Sequence, residues 1–339
     1  MEIVFLIDDG LPSYVEAARL YRLGFEAAGL PVQGEPYAPA GRLPSDAWFL
    51  HHTIGPRFRP VPGAYNTAVV FHEWDRYPSG WTATLNGFDS VWAPSTFVRE
   101  TLLASGVTVP VYLVPPPVAA VSVPHKSGAD AQRPFRFLSI GEPHFRKGFH
   151  LLLEGFLAAF PHPGEATLTL KVSSSCTWTV PRADVVVVRE RLSDATLRAL
   201  YVEHDAYVTA SLGEGLGLPV AEAIVAGLPV VANRWGGHRD LFETGAGWDI
   251  DYELVPQLFC SEPSFFAAAQ RCAYSSPSAI AGALRAVAGA SADERARRAA
   301  RARQRLVNTH GLDRIASVIR DQYALVADSA RAAAAGVPQ

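Results

Sequence analysis

The chain has 339 residues, enough for about two domains of ordinary size. With 49% hydrophobic and 19% charged residues it is neither disordered nor supercharged. A net charge of −3, without a dense Lys/Arg face before the C-terminal region, argues against nucleic acid as the main partner. Cys176, Cys260 and Cys272 are scattered and odd in number, so they read as semi-buried thiols rather than a disulfide or zinc set. Met1–Asp9 carries an acidic residue where a signal peptide is basic, and its apolar run is short. No apolar run approaches membrane-spanning length. The expectation is a cytoplasmic protein without a transmembrane segment; peripheral membrane contact stays open, and nothing speaks to oligomeric state.

In chain order, Ile3–Ile7 is a short apolar run ending at Asp8-Asp9-Gly10, a buried strand and then a loop. Ser13 can cap a helix from Tyr14 to about Ala28, stopped by Gly29. Trp48–Leu50, Thr67–Phe71, Ser90–Ala93 and Val111–Val114 predict further strands, with helices near Gly80–Asn86 and Ser95–Ala104. Pro115-Pro116-Pro117 ends this alternation, and the Ala-, Ser-, Pro- and Gly-rich stretch that follows reads as a linker. A second alternation begins with a strand over Phe137–Ile140 and a helix from about Lys147 to Phe160. Strands follow at Leu168–Val172, Val185–Val188, Ala206–Thr209 and Pro229–Ala232, with helices near Ser193–Tyr201 and Pro219–Ala226. Ala- and Arg-rich helices near Glu294–Val307 and Leu312–Ala334 close the chain.

Strands alternating with helices predict parallel sheets covered on both faces. The expected fold is α/β: two Rossmann-like doubly wound domains facing a cleft. Residues 1–118 form an acceptor-side domain and 119–134 a linker; 135–310 form a nucleotide-sugar domain, and 311–339 a helix that crosses back to the first domain. Ligands of such sheets lie beyond the carboxyl ends of the strands.

The run from Gly213 to Ala232 is the most informative stretch: a glycine loop, a helix opened by Pro219 and closed at Gly227, then a buried strand. Unpaired amides and the positive dipole end of such a helix suit a phosphate. Glu214 and Glu222 bracket it. On one continuous helix they would stand about 12 Å apart, too far to share one glycosidic bond, so each is read as gripping a different part of a long ligand.

Here the sequence resembles a known family. Glu214-Gly215-Leu216-Gly217-Leu218-Pro219, Glu222-Ala223, Gly227-Leu228-Pro229-Val230-Val231-Ala232 and Gly236-Gly237 look like the signature of retaining glycosyltransferases of family 4, which have the GT-B fold and a Glu-x7-Glu motif. Leu138-Ser139-Ile140-Gly141 with Lys147-Gly148, Asp89–Val98, and Phe71-His72-Glu73 resemble further parts of that family. The likeness covers about residues 66 to 250. It implies that Glu214 contacts the donor sugar and Glu222 the nucleotide ribose. The Gly215, Leu216 and Gly217 backbone, with Leu218, would line the diphosphate site, Lys147 would pair with the diphosphate, and His72 would serve the reacting centre. Catalytic roles therefore fall to His72, Lys147 and Glu214.

One departure stands out. Where the family has arginine after the strand glycine, this chain has Glu142, and Arg146 is the candidate replacement. Gly10, Ser13, His51 and His144 are candidate contacts to acceptor or donor; His51 and His52 are expected in a loop after a short strand. Trp74, Tyr77 and Trp81 either line the acceptor side or form core. Asp249-Ile250-Asp251 only superficially resembles a metal-binding D-x-D, so no metal or other cofactor is expected.

The reading is a retaining, metal-independent glycosyltransferase moving a sugar from a nucleoside-diphosphate sugar to a glycan or small-molecule acceptor. A non-catalytic glycosyltransferase-like subunit and a sugar-nucleotide epimerase or coupling enzyme are the alternatives.

Overall fold

A computed structural model describes residues 1–10, 12–37, 43–44, 46–118, 133–180, 182–257 and 269–334. Residues 119–132 of the expected linker, 335–339 of the expected final helix, and Cys260 lie outside the described residues. The chain divides into two units. Met1–Ala119, Cys260–Gln270 and Asn308–Gln339 form the first, and Ala120–Phe259 with Arg271–Val307 the second.

The first unit opens with β1 (Ile3–Ile7), α1 (Pro12–Ala27), β2 (Gln33–Pro36), β3 (Trp48–His52) and β4 (Tyr65–Val69). It continues with α2 (Ser79–Leu85), β5 (Ser90–Ala93), α3 (Thr96–Ala104) and β6 (Val111–Leu113). The strands pair in parallel, in the order β2-β1-β3-β4-β5-β6. The edge strand β2 has no hydrophobic alternation, and its polar residues gave no strand signal. Pro12 lies inside α1, so Ser13 sits in the first turn and is not its cap. Proline suits a first turn because its fixed φ is helical and its missing N–H would be unpaired there.

The second unit contains β7 (Phe135–Ile140), a 3-10 turn (Phe145–Lys147), α4 (Phe149–Ala159), β8 (Ala166–Lys171), β9 (Val185–Val188) and α5 (Asp194–Glu203). Next come β10 (Ala206–Thr209), α6 (Leu218–Val225), β11 (Val230–Ala232), α7 (His238–Leu241) and β12 (Trp248–Asp249). β13 (Glu253–Pro256) and β14 (Arg271–Tyr274) pair antiparallel, and α8 (Pro277–Gly289) and α9 (Ala292–His310) follow. The parallel sheet has the order β12-β11-β10-β7-β8-β9. The expected helix from Lys147 is interrupted. Lys147 belongs to the 3-10 turn, and α4 starts after Gly148, which has φ +65°. A Cβ on Gly148 would lie 2.1 Å from the Ala210 carbonyl oxygen, so only glycine lets the β10 exit pass this close.

The last helix, α10 (Leu312–Ala334), belongs to the first unit. Ile315, Ile319 and Val326 enter the same buried cluster as Phe5, Tyr21, Phe25, Trp48 and Trp92. Trp92 Nε1 donates to Gln322 Oε1 at 3.0 Å, so the polar edge of this core is satisfied by the helix that completes it. Among the described residues no helix is long and apolar enough to cross a membrane.

Candidate functional site

In the second unit, the carboxyl ends of β7 and β10 and the start of α6 gather one ionic cluster. Glu214 lies in the turn between β10 and α6 and is 8% exposed. Lys147 Nζ donates to its Oε1 at 2.5 Å, and Arg146 Nη1 stands 3.2 Å from its Oε2. Ser211 Oγ reaches the same Oε1 at 2.9 Å. Arg146 also donates to the Gly213 carbonyl at 2.6 Å, which fixes the guanidinium against the turn. Burial alone would raise the Glu214 carboxyl. The nearby Lys147 and Arg146 charges, then His238 and the Lys147 hydrogen bond, outweigh it and hold the group well below the usual carboxylate range.

The glycines explain how the turn is built. Gly217, at φ +94°, precedes α6 and packs against the His238 ring; a Cβ there would lie 2.6 Å from His238 Cδ2. The Gly237 N–H donates to the Glu214 carbonyl at 2.7 Å. These contacts stack the loop before α7 directly on the Glu214–Gly217 turn. Pro219 has no N–H, and the Val220 and Ala221 amides donate to the Gly217 carbonyl at 2.9 and 3.1 Å, so what α6 offers an anion is the positive end of its dipole.

Of the residues singled out from sequence, Arg146, Lys147 and Glu214 are thus brought together, with Gly215, Leu216 and Gly217 in the same turn. Leu218 begins α6. Glu222 lies in the second turn of α6, and its Oε2 accepts from the Tyr201 hydroxyl at 2.7 Å. His144 is exposed before the 3-10 turn, where its carbonyl accepts from Lys147 N–H at 3.0 Å. Glu142 is exposed, and its charge favours the ammonium of Lys171, whose own burial pulls its pKa down. Asp249 ends β12; burial raises its carboxyl, partly offset by the Arg234 and Arg298 charges. No group of three or more His, Cys, Asp or Glu side chains among the described residues could hold a metal ion.

The remaining candidates lie in the first unit. Strand β3 runs on through His52, so His51 and His52 are sheet residues, both 0% exposed, and not loop residues. The side-chain amide of Asn66 donates to the Val61 and Ala64 carbonyls, which leaves its Oδ1 to accept from His51 Nε2 at 2.9 Å. This geometry makes His51 a strut inside the sheet. His52 stacks on Tyr14 at 4.5 Å. His72 is buried, and its Nε2 donates to the Arg76 carbonyl at 2.7 Å, clamping the loop after β4. Trp74, Tyr77 and Trp81 are buried as core, and Trp81 covers Gly55. Gly10 and Ser13 are exposed; the Gly10 backbone hydrogen-bonds the Asp8 carboxylate.

Sequence reasoning assigned no role to five polar residues. Ser211 and His238 belong to the Glu214 cluster; the only signals were a serine three residues before the glutamate and a histidine after Gly236-Gly237. In the first unit Asp8 accepts from Thr53 at 2.8 Å and from Arg57 at 2.6 Å. These residues follow β1 and β3, where the strand order reverses. Burial raises the Asp8 carboxyl, but the Thr53 and Arg57 hydrogen bonds and the Arg57 charge together leave it below its ordinary value.

Burial pulls His51, His52 and His238 down from 6.5 to about 4. Each therefore protonates in the unfolded chain before it does so in the folded one. Their contribution to stability is complete above pH 6.5 and is lost as the pH falls from there toward 4. Glu214, depressed in the fold, adds to the same acid lability once the pH drops below 4.5. Calorimetry at pH 7 and pH 5 should show Tm lower at pH 5 by roughly 5 °C or more. Equal Tm values would contradict the neutral buried state of these histidines.

Residues 134–271 match the family model described as Glycosyl transferases group 1. None of the curated proteins compared by sequence matches the chain. The solved structure of Anabaena Alr3699/HepE in complex with UDP and glucose is similar at 15% identity, with 96% of this chain and 99% of that chain covered and a TM-score of 0.65. Trehalose-6-phosphate synthase OtsA is similar at 11% identity, with 95% and 98% covered and a TM-score of 0.66. S. aureus TarM, in complex with fondaparinux, alpha-GlcNAc-glycerol and UDP, gives 13% identity and a TM-score of 0.62. There 83% of this chain is covered, but the chain spans only 55% of the TarM chain. At such identities the likeness is one of fold. The two parallel six-stranded sheets with their flanking helices have the GT-B fold, and the Glu214 cluster lies within residues 134–271, the part of the chain that matches the glycosyl transferase group 1 model.

Proposed function

We propose that the chain is a retaining glycosyltransferase that moves a sugar from a nucleoside-diphosphate sugar to a hydroxyl of a glycan or small natural product, without a metal ion. The observation that carries this reading is the pairing of Glu214 with both Lys147 and Arg146 at the turn before α6. A diphosphate leaving group gains negative charge as its bond to the sugar breaks. Two cations and the positive end of the α6 dipole, already oriented, stabilise that charge without rearrangement. Arg146 supplies the second cation that Glu142 cannot. Glu214 keeps the cations in place before the donor arrives and has lone pairs for sugar hydroxyls. Glu222 serves the ribose.

With the leaving group held this way, the acceptor hydroxyl attacks on the face from which the diphosphate departs, and the departing phosphate takes its proton. The product keeps the anomeric configuration of the donor, and no protein nucleophile is needed. HepE and TarM were solved with UDP, which makes uracil the first base to test. A thermal-shift screen of UDP, GDP, ADP and TDP and their sugars, with and without EDTA, should give one base whose diphosphate raises Tm. Mass spectrometry of reactions with that base's sugars should then show sugar transfer. Failure of every nucleoside diphosphate to bind the folded chain would refute the proposal.

A further inference from the structure

Glu222 is not held by its own helix alone. Tyr201, on α5, is 2% exposed, and its hydroxyl lies 2.7 Å from Glu222 Oε2 and 3.2 Å from the Pro219 carbonyl. Burial pushes the phenol pKa well above its usual value, and the Glu222 charge pushes it further, so the group is a hydrogen-bond donor at any working pH. Its ring packs near Tyr207 of β10, 6.1 Å between centroids, which fixes the hydroxyl from behind. A carboxylate on a helix surface can otherwise rotate through its side-chain torsions. Here one oxygen is tethered to a rigid phenol rooted in a neighbouring helix.

We propose that Tyr201 is a positioning residue that sets the Glu222 carboxylate to read the two vicinal hydroxyls of a ribose, so that the site favours ribonucleoside over 2′-deoxyribonucleoside diphosphates. The inference rests on the nucleoside-diphosphate reading above and deepens it. With Oε2 accepting from Tyr201, the carboxylate is held in one orientation, in which its two oxygens can offer lone pairs to ligand hydroxyls. A 2′,3′-diol satisfies them with two charge-assisted bonds. A 2′-deoxyribose leaves one of them unanswered in a half-buried place, which costs affinity. Without the tether, Oε2 loses this fixed donor, the carboxylate is less strictly oriented, and the difference between the two sugars shrinks. Tyr201 touches neither base nor phosphate in this account. Its effect must therefore pass through Glu222.

The test is calorimetric binding of UDP, GDP and ADP, each beside its 2′-deoxy counterpart, with inorganic pyrophosphate as the sugar-free probe. The proteins are the full chain, Y201F, E222A and the double variant. We expect the full chain to prefer the ribonucleotide by roughly tenfold. Y201F should lower that preference to roughly threefold or less while pyrophosphate affinity stays unchanged, and should have no further effect in the E222A background. The ratio of two affinities is insensitive to any loss of folded protein. An unchanged ratio in Y201F, or an equal effect with and without Glu222, would overturn the proposal for Tyr201 alone. Absence of any nucleotide binding to the full chain would instead overturn the function reading on which it rests.

Discussion

Replacing Lys147 or Glu214 by alanine is expected to lower sugar transfer by roughly 100- to 1000-fold while the chain stays folded. The two losses have different origins. Lys147→Ala removes one of the two cations beside the turn, so the leaving diphosphate loses a fixed counter-charge as its own charge develops. Glu214 keeps Arg146 and Ser211 as partners, so the turn itself should persist. Glu214→Ala leaves Lys147 and Arg146 close together without their shared anion, and like charges confined to a mostly buried place spread apart. A diphosphate can restore the missing anion. We therefore expect this variant to bind the nucleoside diphosphate at least as well as the unaltered chain while transferring sugar poorly. Lys147→Ala should lose both. Binding calorimetry beside an initial-rate assay separates the two outcomes, with melting curves to verify folding. Transfer at the unaltered rate in either variant would remove that residue from the mechanism.

Gly237→Ala should have the second largest effect. Gly237 has φ −64° and ψ −21°, an ordinary helical conformation, so alanine brings no backbone strain. The obstacle is purely steric. A Cβ would lie 2.4 Å from the Gly215 carbonyl oxygen and 2.4 Å from Leu216 Cα, both main-chain atoms that cannot rotate aside. The Glu214–Gly217 turn must move off the α7 loop, carrying Glu214 with it. A displacement of about 1 Å at a reacting site costs on the order of 100-fold in rate. The overpacking itself should cost about 1–3 kcal/mol of stability. Gly282→Ala in α8 is the control: apart from its chain neighbours and the backbone of its own helix, nothing lies within 4 Å of its Cβ position, and a helical glycine replaced there should leave activity intact and stability equal or higher. Normal donor binding in Gly237→Ala would show that the turn tolerates the shift and is not the diphosphate site.

The α/β alternation was legible because each buried strand is a short apolar run and each helix has its own stop signals. Val185–Val188 and Ala206–Thr209 coincide with the observed strands, and Gly227 and Gly311 fall where α6 and α9 end. The Glu214 turn was legible for the same reason: glycines, a helix-opening proline and two glutamates lie within nine consecutive residues. What escaped had no local pattern. The edge strand β2 is polar, and β13, β14 and α8 lie in a stretch where no periodicity was read.

The histidines mark the boundary most clearly. Residue type alone makes His51, His52 and His72 equally plausible at a reacting centre. Packing sends His51 to Asn66, His52 against Tyr14 and His72 to the Arg76 carbonyl, while the unremarked His238 ends beneath the Glu214 turn. Arg146 is a similar case: no spacing rule shows that it turns to Glu214 while Glu142 shares the field of Lys171. Amino-acid order carries the architecture and the chemistry of one contiguous turn, because helix periodicity, glycine conformations and short-range charge are properties of neighbouring residues. The partner of each side chain depends on contacts across tens of residues, such as the one that brings Tyr201 to Glu222, and these exist only once the sheet and its helices have packed.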